Sequence, residues 1–186
     1  MANFAVANST NFLAQAAVGG TYAPVVLVSA STAGTSYNNN AGTTYPALRR
    51  GKLYDMLVGT NGTPGDTVIE WTVQRCTIGT CLTWVGAVSS VSSTFALDQA
   101  DNGFGSFAMI SASNPSATIM TVTGNSPWYV GVNQRASYRW VAAPGSEIVW
   151  PAVSTGTGGG GLSLSVRSPG SAYTGTPTGT IFFQEQ

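Results

Sequence analysis

Two sets of residues in this chain have the types and spacing for chemistry. Cys76 and Cys81 bracket "TIGT", in which Gly79 permits a tight turn. The ends of such a hairpin can lie within the Cα separation a disulfide requires, so a Cys76–Cys81 bridge and a simple turn with two reduced thiols both stay open. A metal site there would need further Cys or His ligands. The second set is the run "VGVNQRASYRWVAAPGSEIVWP", residues 130–151, which gathers Arg135, Tyr138, Arg139, Trp140, Glu147 and Trp150 in a chain otherwise rich in Ser, Thr, Gly and Ala. Such a concentration serves a binding site, a catalytic centre, or the fixing of the fold and its neighbours.

Most catalytic readings fall away on residue type. The chain has no His, which removes the usual general base, the Ser-His and Cys-His nucleophile pairs and the commonest transition-metal ligand. Asp55, Asp66, Glu70, Asp98, Asp101 and Glu147 show no spacing that defines a glycosidase pair. "GTGGGGLSLS", from Gly156, resembles a phosphate loop in glycine content alone, without the Gly-Lys-Ser/Thr ending. "DQADNG" (Asp98, Asp101, Asn102, Gly103) is loosely calcium-like but lacks the alternate oxygens and distal Glu of an EF-hand loop. "NST" at Asn8 and "NGT" at Asn61 match a glycosylation acceptor, a triplet common by chance. The expectation is a chain with no catalytic residues, no cofactor and no metal, and not an enzyme.

Composition points toward association. The chain has 186 residues, 43% of them hydrophobic, and only 8% charged, with seven basic residues balancing seven acidic ones. An average soluble domain is about 25% charged. No basic cluster exceeds the "RRGK" of Arg49, Arg50 and Lys52, so nucleic acid is not an expected partner. A surface near zero net charge promotes association. The opening "MANFAVANSTNFLAQAAVGG" has no basic n-region and does not read as a signal peptide. No run approaches the roughly 20 apolar residues of a membrane helix, so synthesis in a cytosol, without a membrane partner, is expected.

The elements that position these residues read as short strands. "YAPVVLVSA", Tyr22 to Ala30, is one, with Pro24 at its start; "KLYDMLVG" follows, then "TNGTPGD" with Asn61-Gly62 and Pro64-Gly65 as turn residues. In "TVIEWTVQRC", Ile69, Trp71 and Val73 share one face and Glu70, Thr72 and Gln74 the other. "LTWVGAV", a loop or helical turn at "ALDQADNG", and then "SATIMTVTG", "PWYVGVNQR", "SYRWVAAP", "EIVWPAV", "LSLSVRS" and "TGTIFFQEQ" continue at roughly ten-residue spacing, the pattern of an all-β sandwich or barrel. The run at 130–151 reads as an antiparallel meander, with Trp128, Val130 and Val132 on one face, Tyr138 and Trp140 on one face of the next strand, and Arg139 opposite. The expected fold is all-β: a single-domain antiparallel β-sandwich, jelly-roll-like, with an extended N-terminal segment. Residues 1–48 are a neutral arm plus first strand, and residues 49–186 the sandwich body. The first twenty residues are either an arm that orders against a partner or a frayed end. Arg50, Arg135 and Arg139 are expected to pair with Glu147, Asp55 or groups of a neighbouring subunit.

Taken together, "LRRGKLYDMLVGTNGTPGD", "YVGVNQRASYRWVAAPGSEIVWPA" and the closing "RSPGSAYTGTPTGTIFFQEQ" resemble small head proteins of tailed bacteriophages, the capsid decoration or cement class. The resemblance covers about half the chain and is strongest in its C-terminal half. It implies an all-β subunit, often a homo-trimer, made in the bacterial host cytoplasm and clamped on the outside of the virion's icosahedral shell of major capsid protein. The Cys76–Cys81 hairpin and the loop "SSVSSTFALDQADNGF" stand outside that pattern. With the resemblance in view, Phe4, Val6, Phe12 and Leu13 of the arm, with Arg49, Arg50, Arg135 and Arg139, become the expected capsid or intersubunit contacts. Two other classes compete: a β-sandwich that binds carbohydrate or a host surface through exposed Trp and Tyr, and a shell-forming jelly-roll subunit. Exposure of Trp128, Trp140 and Trp150 separates the carbohydrate reading from the others.

Overall fold

Alternation of apolar and small polar residues draws the chain into strands whose inner faces meet. The structure, a computed structural model, describes residues 3–7, 23–29, 50–77, 88–90, 94–97, 107–111, 126–150, 160–169 and 175–185. Its strands are β1 (Asn3–Ala7), β2 (Ala23–Ser29), β3 (Gly51–Asn61), β4 (Val68–Thr77), β5 (Val88–Ser90), β6 (Thr94–Ala96), β7 (Phe107–Ser111), β8 (Trp128–Asn133), β9 (Tyr138–Val141), β10 (Ile148–Trp150), β11 (Gly160–Arg167) and β12 (Thr176–Glu185). No helix occurs among the described residues. Ile69, Trp71 and Val73 of β4, Leu162, Leu164 and Val166 of β11, and Ile181 and Phe183 of β12 are all buried, each set two residues apart as a pleated strand requires.

The strands form two antiparallel sheets of six described strands each. One runs β6–β1–β12–β3, with β10 and β9 both paired along the far edge of β3; the other runs β5–β7–β2–β11–β4–β8. The pairing is nested: β1 with β12, β2 with β11, β3 with β12, β4 with β11, then β3 with β9 and β4 with β8. β1 to β4 alternate between the two sheets and the second half of the chain pairs back onto them, the winding of a jelly roll. One shared core fills the space between, from Phe4 and Val6 through Val25, Val28, Leu53 and Met56 to Trp71, Trp150, Leu164 and Phe183.

Two details show how tightly the register is set. Gly51 pairs with Trp150, and a Cβ on Gly51 would lie 1.9 Å from the Trp150 ring, so the indole lies flat across a position that only hydrogen can occupy. Between Leu53 and Asp55 the ladder to β12 slips by one residue at Tyr54, and there the opposite edge of β3 changes partner from β10 to β9. An extra residue in one strand bends it and re-aims its neighbours.

The structure corrects two expectations. Phe4 and Val6 are not arm residues waiting for a partner: β1 lies between β12 and β6, and both side chains are 1% exposed in this chain's own core. The run at 130–151 is not a meander either. β8 belongs to one sheet and β9 and β10 to the other, so residues 134–137 carry the chain across the sandwich rather than around a hairpin. Two-residue periodicity sets which side chains share a face, and it is silent on which sheet a strand joins.

Candidate functional site

The crossing at residues 134–137 has a twin. Residues 62–67 also cross between sheets, taking the chain from β3 to β4, with Gly62 at a φ of 86° where a left-handed residue is needed. The two crossings are tied together by the stretch that looked chemically dense. The backbone N–H of Gln134 donates to the Thr67 carbonyl at 2.9 Å, its side-chain Nε2 donates to the Thr67 hydroxyl, and its Oε1 accepts from Gly65 N–H at 3.2 Å. Gln134 is buried, so these bonds satisfy an amide that has no water. Beside it, Asn133 Nδ2 donates to Asp66 Oδ1 at 2.6 Å, and Asn133 Oδ1 accepts from the Arg135 N–H at 2.9 Å. At the other end of β8, the Ser126 hydroxyl lies 2.7 Å from the Val73 carbonyl and bonds the Thr72 hydroxyl, pinning the strand's start to β4.

Above this polar tie sits an aromatic group that closes the side of the sandwich. Trp128, from β8, meets Tyr138 and Trp140, from β9, with ring centroids 6.0 and 6.5 Å apart. Trp128 and Trp140 are partly buried against the core, together with Val130 and Val132. On the outward face of β9, Arg139 holds Asp55 through two bonds, Nε to Oδ1 at 3.1 Å and Nη2 to Oδ2 at 2.5 Å. The carboxylate is buried while the guanidinium is largely exposed, and hydrogen bonding to Asp55 raises the already high Arg139 pKa further. The pair fixes Arg139 across β3, diagonally from its ladder partner Leu57. A second pair, Arg167 with Glu70, spans β11 and β4.

The sequence's candidate residues thus separate. Arg139 pairs with Asp55 inside the chain, one of the pairings expected of it. Arg135 and Arg50 are exposed, and neither has an ion-pair partner among the described residues. Phe4 and Val6 are core. Phe12, Leu13, Arg49, Cys81 and the side chain of Cys76 lie outside the described residues. Trp150 is 0% exposed and Trp128 and Trp140 are partly covered, so these tryptophans form no open platform for a sugar. Asn133 and Gln134 went unremarked in the sequence because polar residues beside a turn read as solvated. The signal that could have found them is their position between two strand runs whose ends must cross.

Exposed apolar side chains are unevenly spread. Leu57 on β3, Val68 on β4, Tyr129 on β8, and Tyr138 and Val141 on β9 are exposed, with Val68 and Tyr129 at 53% and Val141 at 57%. All five lie on the strands flanking the β8–β9 crossing; among the described residues Leu97 is the one large exposed apolar side chain elsewhere. Among the described residues no three His, Cys, Asp or Glu side chains gather into a metal-holding group. Compared with family models, with curated proteins and with solved structures, the chain matches none.

Proposed function

We propose that this chain is a structural protein of a bacteriophage virion, a decoration or cement subunit that attaches to the outside of the capsid and ties neighbouring major capsid protein subunits together. The observation that carries the reading is the exposure of large apolar side chains on the strands that flank the β8–β9 crossing: Val68 and Tyr129 on the outer face of one sheet, Leu57 and Val141 on that of the other, and Tyr138 at the rim, with Arg135 exposed in the crossing itself. Exposed apolar and aromatic side chains on both sheets beside an exposed arginine are the composition of contact surfaces rather than of a solvent face. The chain's low charge supports the same reading, since a neutral Ser/Thr/Gly-rich surface favours association. Arg50 precedes β3 and the crossing with Arg135 lies near its far end, a separation of about 30 Å at about 3.3 Å per residue. Two arginines that far apart, neither with an ion-pair partner among the described residues, suit a subunit that bridges, each pairing with carboxylates of a different capsomer. Symmetric copies, a trimer in this reading, multiply the gain from each contact when packaged DNA strains the shell.

The test is the copy number and position of the protein in purified particles, followed by the survival of particles that lack it. Particles without it should lose DNA at lower temperature and under milder osmotic shock, and Tyr129→Ala with Tyr138→Ala should lower occupancy while the free protein stays folded. Equal survival with and without the protein, or its absence from particles, overturns the proposal. The jelly-roll winding also suits a shell-forming subunit, and purified protein that closes into shells without any other chain would favour that second reading.

A further inference from the structure

On the outer face of the other end of β3, one transverse row crosses three strands and ends at Leu97, just past β6. Lys52 stands opposite Gln184 on β12, Gln184 stands opposite Asn3 on β1, and the Leu97 N–H bonds the Asn3 carbonyl at 2.9 Å. Phe183 and Leu53, their inward neighbours, are buried, so this row points away from the core. With Tyr54 at the bulge and Glu147 just before β10, these residues line an open depression of about 380 Å³, within the range of about 300–1,000 Å³ for small-molecule sites.

We propose that this depression binds a single ring of a neutral saccharide. Its lining supplies hydrogen-bond donors and acceptors in balance: two amides, already aligned by a Gln184 Nε2 to Asn3 Oδ1 bond of 3.3 Å, a phenol, an ammonium and a carboxylate. Neighbouring hydroxyls on a sugar ring each donate and accept, so they are the chemistry that meets such a mixed set. Lys52 is near enough to favour the charge on Glu147, yet no ion pair among the described residues joins them, which leaves the ammonium, and the carboxylate lone pairs that the Glu147 and Gly145 backbone N–H groups do not take, for hydroxyls. Their charges cancel, so neither an anion nor a cation is preferred. Leu97, half-exposed, and the Tyr54 ring give an apolar wall for the C–H face of the ring. Burial, and then the charge on Asp55, raises the Tyr54 pKa, so the phenol keeps its proton as a donor at neutral pH. The depression is open rather than enclosed, which suits one residue of a longer glycan and predicts weak affinity. None of this rests on attachment to a capsid, although Val141 of the exposed apolar set stands opposite Asp55, one residue from Tyr54.

The experiment is a titration of the isotope-labelled full chain, followed by amide NMR signals, with glucose, galactose, mannose, N-acetylglucosamine and rhamnose in turn, and with glycine as a zwitterionic control. At least one sugar should shift the amides of Lys52, Tyr54, Leu97, Glu147 and Gln184 saturably, with a Kd of about 1–10 mM. Lys52→Ala and Glu147→Gln should each weaken that binding by about tenfold while leaving the remaining spectrum in place. The proposal is overturned if no sugar moves these signals, if glycine moves them and the sugars do not, or if the shifts survive both substitutions together.

Discussion

Two aromatic clusters in this molecule are built from the same residue types and do different work. In one, Phe183 stacks on Phe4 at 5.7 Å and meets the edge of Trp150 at 5.6 Å; in the other, Trp128 lies 6.0 Å from Tyr138 and 6.5 Å from Trp140. Ring-to-ring contact is therefore similar, and surroundings make the difference. The first cluster draws on three strands of one sheet, β1, β12 and β10, and is wholly buried in the shared core. The second joins β8 of one sheet to β9 of the other at the rim, half-covered, above the hydrogen bonds of Asn133 and Gln134. An aromatic residue contributes according to how much of its area leaves water and how little room its neighbours have to move. The core cluster holds the fold; the rim cluster sets the shape of the side that carries the exposed apolar residues.

The largest effect should come from cutting the core cluster. Phe183→Ala removes the ring that touches both Phe4 and Trp150 and should cost about 3–5 kcal/mol in denaturant unfolding. Trp128→Ala, at the half-buried rim, should cost about 1–2 kcal/mol. Equal losses for the two would erase the distinction between core and rim. Deleting residues 3–7 belongs with the first variant, because it removes β1 and parts β12 from β6. A step below, Gly51→Ala sharpens the comparison from the other side. Its new methyl must displace the Trp150 indole, an overpacking that typically costs about 1–3 kcal/mol. Near-UV circular dichroism should report the displaced indole, and an unchanged spectrum with unchanged stability would show that the ring is not pinned there.

Much of this was legible in the sequence and some was not, for physical reasons. β4, with Ile69, Trp71 and Val73 inward, follows from strict alternation, and the turn at Pro144-Gly145 follows from backbone preference: Gly145 has a φ of 83° and Ser146 N–H bonds the Ala143 carbonyl at 2.8 Å. The winding was readable as a class because short strands with Gly and Pro between them have few compact solutions. β1 was missed because "NFAVA" carries only two large apolar residues, and its partner β12 lies at the far end of the chain, where no local pattern reaches. Gln134 and Gly51 were missed for a shared reason. Their importance exists only after register brings Thr67 and Trp150 to them. Chemical density in the run at 130–151 was real, and its main product is a fastening between two crossings.

That fastening gives the third variant. Gln134→Ala removes the bonds that a buried amide makes to the half-buried Gly65 N–H and Thr67 hydroxyl, at about 1 kcal/mol for each bond. It should loosen the rim and leave the core cluster intact: hydrogen exchange should quicken at residues 62–67 and 133–137 before it quickens in β1 or β12. Uniform quickening through all strands would mean that the crossings and the core open as one unit, and the two clusters would then be one.

The smallest effect concerns Glu147, on the connection that leads from Trp140 in the rim cluster to Trp150 in the core. Its own backbone N–H lowers the carboxyl pKa, desolvation opposes, and the Gly145 N–H and the Lys52 charge add to the lowering. A carboxyl that is more acidic in the folded chain than in the unfolded one binds fewer protons in the native state at mildly acid pH, so stability there rises with pH. Its contribution is complete at neutral pH and drains away as pH falls through the ordinary carboxylate range toward the folded value. Glu147→Gln fixes the side chain in a form that cannot ionise. Melting curves of the two proteins should therefore coincide in acid and separate slightly at neutral pH, the native chain melting higher, with the gap opening as the carboxylate forms. A gap that stays constant with pH would mean that the shape of the side chain, and not its charge, holds the connection between the two clusters.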